Sequence, residues 1–347
     1  MPTHLPLRAP LLLALLLAAG CDSPARVTEA PDREPFIGAE ARVYLDSALS
    51  IMQSRSLHRH EVSWPAFRAT LLRRADGAQR PAQTHEALDA ALRSLNRHSF
   101  LVPPGAVGNE LAQTSDQPGG TVLLGRFGYV RTVSFSGQGD AHTQEYHDLI
   151  RGLDQPATCG WVVDLRFNGG GNMWPMLAGV GPILGEGSPG SFVDADGTRT
   201  PWYYENGASG TLREGLKLRA AGASAPHRLR REGGPVAVLT GPTTASAGEA
   251  VAIAFRGRPD ARSFGTLTYG VPTANSTFPL SDGAIMVLTT AWEEDRNGVR
   301  YTTRMRPDED TGAVTSVTAN PAEDPTLARA LEWLGAHAAC QPPAGDS

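Results

Sequence analysis

The chain has 347 residues, 41% of them hydrophobic, with a formal net charge of -5 at pH 7. That length and apolar content suit one large or two modest domains with a real core, and the negative balance gives no reason to expect a nucleic-acid partner. Of 31 basic residues only Lys217 is a lysine, so a Schiff base or a Ser–Lys dyad would have to use that one residue.

Arg8 precedes a nine-residue apolar run, Leu11 to Ala19, that ends in Ala18-Ala19-Gly20-Cys21. The run is too short for a permanent membrane helix and suits the apolar region of a signal peptide, residues 1–20. Small residues before a cysteine resemble a bacterial lipoprotein signal, which makes Cys21 the lipidation candidate. Membrane contact would then be through that N-terminal lipid, with export to the cell envelope, periplasmic or outer-membrane; the alternative is an ordinary secretory leader. Residues 21–35 are polar and Pro-containing, as a tether would be. Cys159 and Cys340 remain; in an oxidising compartment they could pair across 181 positions, or Cys159 could be a buried thiol. No C-x-x-C or H-E-x-x-H pattern occurs, so neither a metal nor a cofactor is expected.

Helical periodicity covers 37–57, Pro65 to Arg74 and Thr84 to Leu95, giving a small helical unit over 36–103. A Gly/Pro loop, 104–120, leads into an α/β core over 121–340. There Val122–Leu124, Gly128–Val133, Trp161–Leu165, Pro235–Thr240 and Ala284–Thr290 read as strands. Helices are expected at His142–Leu153, Met173–Leu184, Ser246–Phe255 and Leu327–Ala336, with 186–233 a polar stretch. Continuous apolar strands followed by Gly turns and helices indicate parallel pairing.

Two strand-to-helix turns stand out. Asp164-Leu165-Arg166-Phe167-Asn168-Gly169-Gly170-Gly171 could converge backbone N–H groups on an anion, but it lacks the lysine of a phosphate loop. Thr244-Ala245-Ser246-Ala247-Gly248-Glu249 could expose a serine hydroxyl at a helix N-terminus; the same residues also read as a capping box.

These turns, with Gly265-x-x-Thr268-x-Gly270, Pro307-Asp308 and Leu95-Asn96-Arg97-His98-Ser99, resemble the tail-specific (carboxyl-terminal processing) serine protease family over most of residues 36–336. The resemblance implies a spiral β/α core of the crotonase and Clp-protease type behind a helical N-terminal unit. It implies Ser246 as nucleophile, with an oxyanion hole formed by Gly170 and the N–H of Ala247 or of Ser246 itself. The processing-protease branch places its lysine base where this chain has Val271, and a PDZ domain where about 30 residues leave no room for one. The sequence is closer to the tricorn-core and retinoid-binding-protein branch, whose base is a histidine, and His98 is the residue in that motif. The branch's glutamate orienter aligns with Tyr301, which could itself hold the imidazole by a hydrogen bond; Glu293, Glu294 and Asp295 are the nearest carboxylates and could serve only if the loop folds back. The implied activity is serine-type endopeptidase on peptide or unfolded protein. The alternatives are a non-catalytic relative that binds an apolar ligand or peptide, and an envelope lipoprotein that acts as an assembly partner.

Overall fold

The computed structural model describes residues 33–106, 117–137, 139–312, 318 and 320–341. The leader, Cys21, nearly all of the 21–35 tether and 107–116 of the loop lie outside the described residues. Among the described residues no helix is long and apolar enough to cross a membrane, and no cluster of potential metal ligands occurs.

Three N-terminal helices, α1 (Ala39–Arg55), α2 (Trp64–Arg74) and α3 (His85–Leu95), follow the expected periodicity. Their buried stripe, including Leu45, Met52, Leu88 and Leu92, shares one core with Met286 and Leu288. Those two residues belong to a long strand of the larger sheet, so the helical unit packs directly on the rest of the chain.

The first sheet carries the site. In chain order its strands are β2 (Gly119–Leu123), β3 (Phe127–Arg131), β4 (Gly160–Asp164), β9 (Val236–Thr240), β10 (Ala261–Gly265) and β14 (Glu309–Asp310). They lie side by side in that same order, antiparallel at β2–β3 and parallel from β3 onward. Helical crossovers join the first four of the five parallel strands: α4 (Asp140–Leu153), then α5 (Met173–Gly179) with α6 (Gly181–Leu184), then α7 (Ala247–Phe255). The successive β–α steps advance along the sheet, which is how a spiral grows. β4 and β9 are buried at every position, which explains their unbroken apolar runs. The single helix expected over 173–184 is two helices. Pro182 cannot donate a backbone hydrogen bond and restricts the residue before it, so the chain turns at Val180 and restarts at Gly181.

The second sheet runs β1 (Phe100–Val102), β12 (Ile285–Asp295), β5 (Gly190–Asp194), β6 (Arg199–Glu205), β7 (Ala208–Arg213), β8 (Leu216–Gly222). β11 (Thr273–Pro279) and β13 (Arg300–Tyr301) lie along the other edge of β12. Residues read as a polar stretch therefore contain four strands. Two of their three turns are Asn206-Gly207 and Glu214-Gly215, all with positive φ, the two-residue connection that matches the twist of paired strands. A last helix, α8 (Pro325–Ala336), covers the first sheet, and Cys340 just beyond it is disulfide-bonded to Cys159 before β4. Of the two readings open in the sequence, the pair is the one the structure adopts.

Candidate active site

Both singled-out turns leave the carboxyl ends of the adjacent parallel strands β4 and β9. Hydrogen bonds lace them together: Ala245 N–H donates to the Asn168 carbonyl at 3.0 Å, and the Thr244 hydroxyl to the Leu165 carbonyl at 2.8 Å. Beneath them Arg166 is buried between Asp164 and Asp324, with a 2.7 Å contact to each. The arginine of the D-L-R motif is thus a fastening for the first turn, with its charge consumed inside the protein.

Ser246 sits immediately before α7 at φ 52°, ψ -119°. That is the first central position of a II′ turn, glycine's place, and a side chain there stores roughly 1–3 kcal/mol of strain. The capping-box reading holds in one respect: Glu249 Oε2 accepts the Ser246 N–H at 3.0 Å. The serine's own Oγ makes no cap hydrogen bond. Glu249 is fully buried, and its carboxylate also receives the Thr268 hydroxyl (2.5 Å), Gly270 N–H (2.9 Å) and Val271 N–H (2.8 Å). Four donors to one carboxylate lock the serine turn to the 268–271 loop, a role sequence reading assigned only to helix capping.

Two of the backbone N–H groups expected to face an oxyanion are engaged within the protein. Gly170 N–H is held by Asn168 Oδ1 at 2.9 Å, and the serine's N–H is taken by Glu249, so neither is open to a ligand. Gly170 contributes close approach instead: a Cβ there would stand 2.9 Å from Ser246 Cβ and 3.0 Å from Ala247 N, at φ +101°. Ala247 and Gly171 N–H have no hydrogen-bond partner among the described residues, and both border the same groove as Ser246. In the parallel bridge with Phe135 it is Asn172 and Phe135 that donate, which leaves Gly171 free.

The groove is a cavity of about 1330 Å³ over Ser246, walled by Trp174 and Phe192 on one side and Thr273 on another. Arg59 from the N-terminal unit reaches its mouth and pairs with Asp196 at 2.6 Å. His98 lies in a neighbouring recess of about 500 Å³ with Tyr269, Gly270, Val271 and Arg304; Thr273 borders both cavities. No hydrogen bond joins His98 to Ser246. Its Nε2 accepts from Arg97 Nε at 2.8 Å, and burial, then the Arg97 charge, hold its pKa below the ordinary histidine value.

None of the candidate orienters lines the recess of that ring. Tyr301 donates its hydroxyl to Asp295 Oδ2 at 2.9 Å, and Glu294 is paired with Arg199 and Arg300. Glu293 is buried and borders the serine's groove, away from the recess of His98. The correction has a simple cause: these residues continue β12 as a paired strand, so no loop folds back toward His98. Lys217 is also accounted for, paired with Glu205 on the β8 hairpin.

A spiral of parallel strands with a glycine-rich turn and a strained serine turn at adjacent carboxyl ends belongs to the serine peptidases with a Clp- and crotonase-like core. The family model "Peptidase family S41" matches residues 126–311, more than half of the chain, and the chain belongs to that family. Among known proteins it is 26% identical to the nisin-resistance protein of Lactococcus lactis subsp. lactis over 74% of this chain and 79% of the relative. It is also 26% identical to the chloroplastic carboxyl-terminal-processing peptidase 2 of Arabidopsis thaliana, over 71% of this chain and 41% of that one. Of solved structures, a lipoprotein from Streptococcus agalactiae superposes with TM-score 0.67 at 23% identity, covering 86% of this chain and 97% of the other. The photosystem II D1 C-terminal processing protease gives 0.56 at 17% identity, over 78% and 93%. These likenesses show the shared fold.

Proposed function

We propose that the protein is a lipid-anchored serine endopeptidase of the bacterial envelope with Ser246 as its nucleophile. The observation that carries this reading is the strained Ser246 turn, held by Glu249 and packed against Gly170. Backbone strain at a half-buried serine that lines a groove, at a helix N-terminus, is the arrangement that presents a hydroxyl to a substrate carbonyl. Attack forms the Ser246 Oγ–carbonyl carbon bond, and the oxyanion lies against Ala247 and Gly171 N–H.

His98 is the base in this mechanism. The other described histidines are engaged elsewhere: His60 with Asp196, His85 with Asp282, His147 with the Ala178 carbonyl, His227 with Asp154. His58, His142 and His337 face Glu61, Glu145 and Asp260. His98 alone has its ring beside Val271, where the processing-protease branch carries its lysine, and Glu249 ties that residue to the serine. Catalysis requires the ring to leave Arg97 and turn toward Thr273. It then takes the Ser246 proton, passes it to the leaving amine, and activates the water that hydrolyses the acyl-enzyme.

The lipid anchor rests on the Ala-Ala-Gly-Cys21 sequence and is supported by similarity to a streptococcal lipoprotein. Substrates are peptides or unfolded proteins, as membership of a peptidase family implies. The test is labelling of the purified protein by a serine-directed phosphonate together with cleavage of an unfolded protein. Ser246→Ala abolishes both; wild type no more reactive than the variant overturns the reading. The Arg97 contact on His98 favours a second one, a non-catalytic binder, which the absence of labelling together with a co-purifying ligand would establish.

A further inference from the structure

Glu293 is an acid without a partner beside the serine's groove. Its side chain is 2% exposed, and its Oε2 has no hydrogen-bond partner. Among the described residues it forms no ion pair. Its neighbours on β12 show how this fold satisfies an acid used for structure: Glu294 has two arginines at 2.8 Å, and Asp295 receives a tyrosine hydroxyl. A buried carboxyl left unsatisfied costs about 1–3 kcal/mol, and the cost falls when it is protonated or meets a donor. Burial, and then the Glu249 charge, raise the Glu293 pKa well above its ordinary value, the direction expected of an acid that lacks a cation beside it.

The surroundings identify the missing partner. Glu293 and Phe192 are direct partners in the antiparallel β12–β5 pair, so both side chains leave the same face of the sheet. Phe192 meets Trp174 edge to face, ring centroids 5.9 Å apart, and both rings border the cavity with Ser246 and Glu293. Aromatic rings attract a desolvated cation, and the carboxyl supplies its countercharge. An anionic side chain would meet Glu293 and Glu249 together. A neutral apolar one would leave the acid unsatisfied. Of the five arginines that border the groove, Arg59, Arg199 and Arg219 are already paired with Asp196, Glu294 and Asp140; Arg55 and Arg213 form no ion pair among the described residues, but neither do Asp194 and Glu214 of the same lining.

We propose that Trp174, Phe192 and Glu293 form a specificity recess for a basic substrate side chain, lysine or arginine, and that the substrates are accordingly cationic peptides. The inference rests on the peptidase reading with Ser246 as nucleophile. In the complex the Glu293 carboxylate pairs with the ammonium or guanidinium between the two rings.

The experiment scans lysine, arginine, norleucine and glutamate through each position of a quenched fluorescent peptide. At one position the wild-type enzyme cleaves the basic peptides ~10-fold or more faster in kcat/KM than the norleucine peptide. Glu293→Gln brings that ratio to about one, the value expected when the countercharge is gone. No basic preference at any position, or a preference that survives Glu293→Gln, overturns the proposal. Should Glu293→Gln fail to fold, the wild-type scan alone decides. Binding of the same peptides to Ser246→Ala, read by anisotropy, separates the two claims. A lysine-over-norleucine ratio in Kd without any cleavage by wild type sinks the nucleophile assignment and supports the recess, whereas cleavage without that ratio sinks the recess.

Discussion

Glu249→Gln is the substitution that most directly tests how the site is held. In the native protein one carboxylate accepts four hydrogen bonds, two on each oxygen: Ser246 and Val271 N–H on Oε2, the Thr268 hydroxyl and Gly270 N–H on Oε1. Glutamine keeps the volume and one acceptor oxygen. Its amide oxygen settles on the Oε2 side, because both donors there are backbone N–H groups that cannot turn away. The NH₂ then faces Thr268, whose hydroxyl can rotate to accept, and Gly270, whose N–H becomes an orphaned donor. An orphaned buried donor costs about 1–3 kcal/mol, and the bonds that remain lose charge assistance worth up to ~1 kcal/mol each. Removing a buried anion that lacks a cation partner returns part of this desolvation cost. A net loss of roughly 2–4 kcal/mol follows, seen as a lower urea midpoint at unchanged slope. Activity falls further than folding does, because the strained Ser246 turn and the 268–271 loop beside His98 lose their common anchor. Phosphonate labelling of Ser246 should therefore slow ~10–100-fold under conditions where the variant is fully folded. A variant with native midpoint and native labelling rate would show that Glu249 is only a helix cap.

Gly170→Ala brings a methyl group to 2.8 Å from the Ala245 carbonyl at a positive φ, and should cost roughly 2–4 kcal/mol in urea melts and abolish labelling. Gly169→Ala, whose Cβ would meet only Ser134 Oγ at 3.6 Å, serves as the near-silent control. Reducing the Cys159–Cys340 bond, or replacing both cysteines by serine, opens a link spanning 181 positions; loop entropy sets the loss at roughly 5 kcal/mol in a denaturant titration. Arg97→Gln removes the second cause that depresses His98, raises its pKa, and so moves the acid limb of kcat/KM to higher pH, since the base is now protonated earlier on acidification. An acid limb that stays in place in the pH–rate profile would remove His98 from the mechanism.

What could be read from the sequence, and what could not, divides along the range of the interactions. β4, β9 and α7 were legible because fully buried strands and a small-residue helix leave unbroken apolar runs. The two functional turns were legible because glycine and a serine between small residues mark backbone that ordinary residues resist. β5 to β8 went unread although Asn206-Gly207 is a strong hairpin signal, because Lys217, Arg219 and the other polar residues of an exposed edge obscure the alternation. Which N–H in a run of three glycines stays free was beyond the sequence for a different reason: it depends on where the Asn168 side chain and the Phe135 bridge fall. Glu293, Glu294 and Asp295 make the same point within one strand. Three adjacent acids with similar intrinsic pKa values acquire an aromatic groove, a pair of arginines and a tyrosine hydroxyl, the groove from Phe192 and Trp174 in segments far away in sequence. Pleat alternation sends Glu293 to the face opposite Glu294, and that one-residue difference leaves an acid free to meet a substrate.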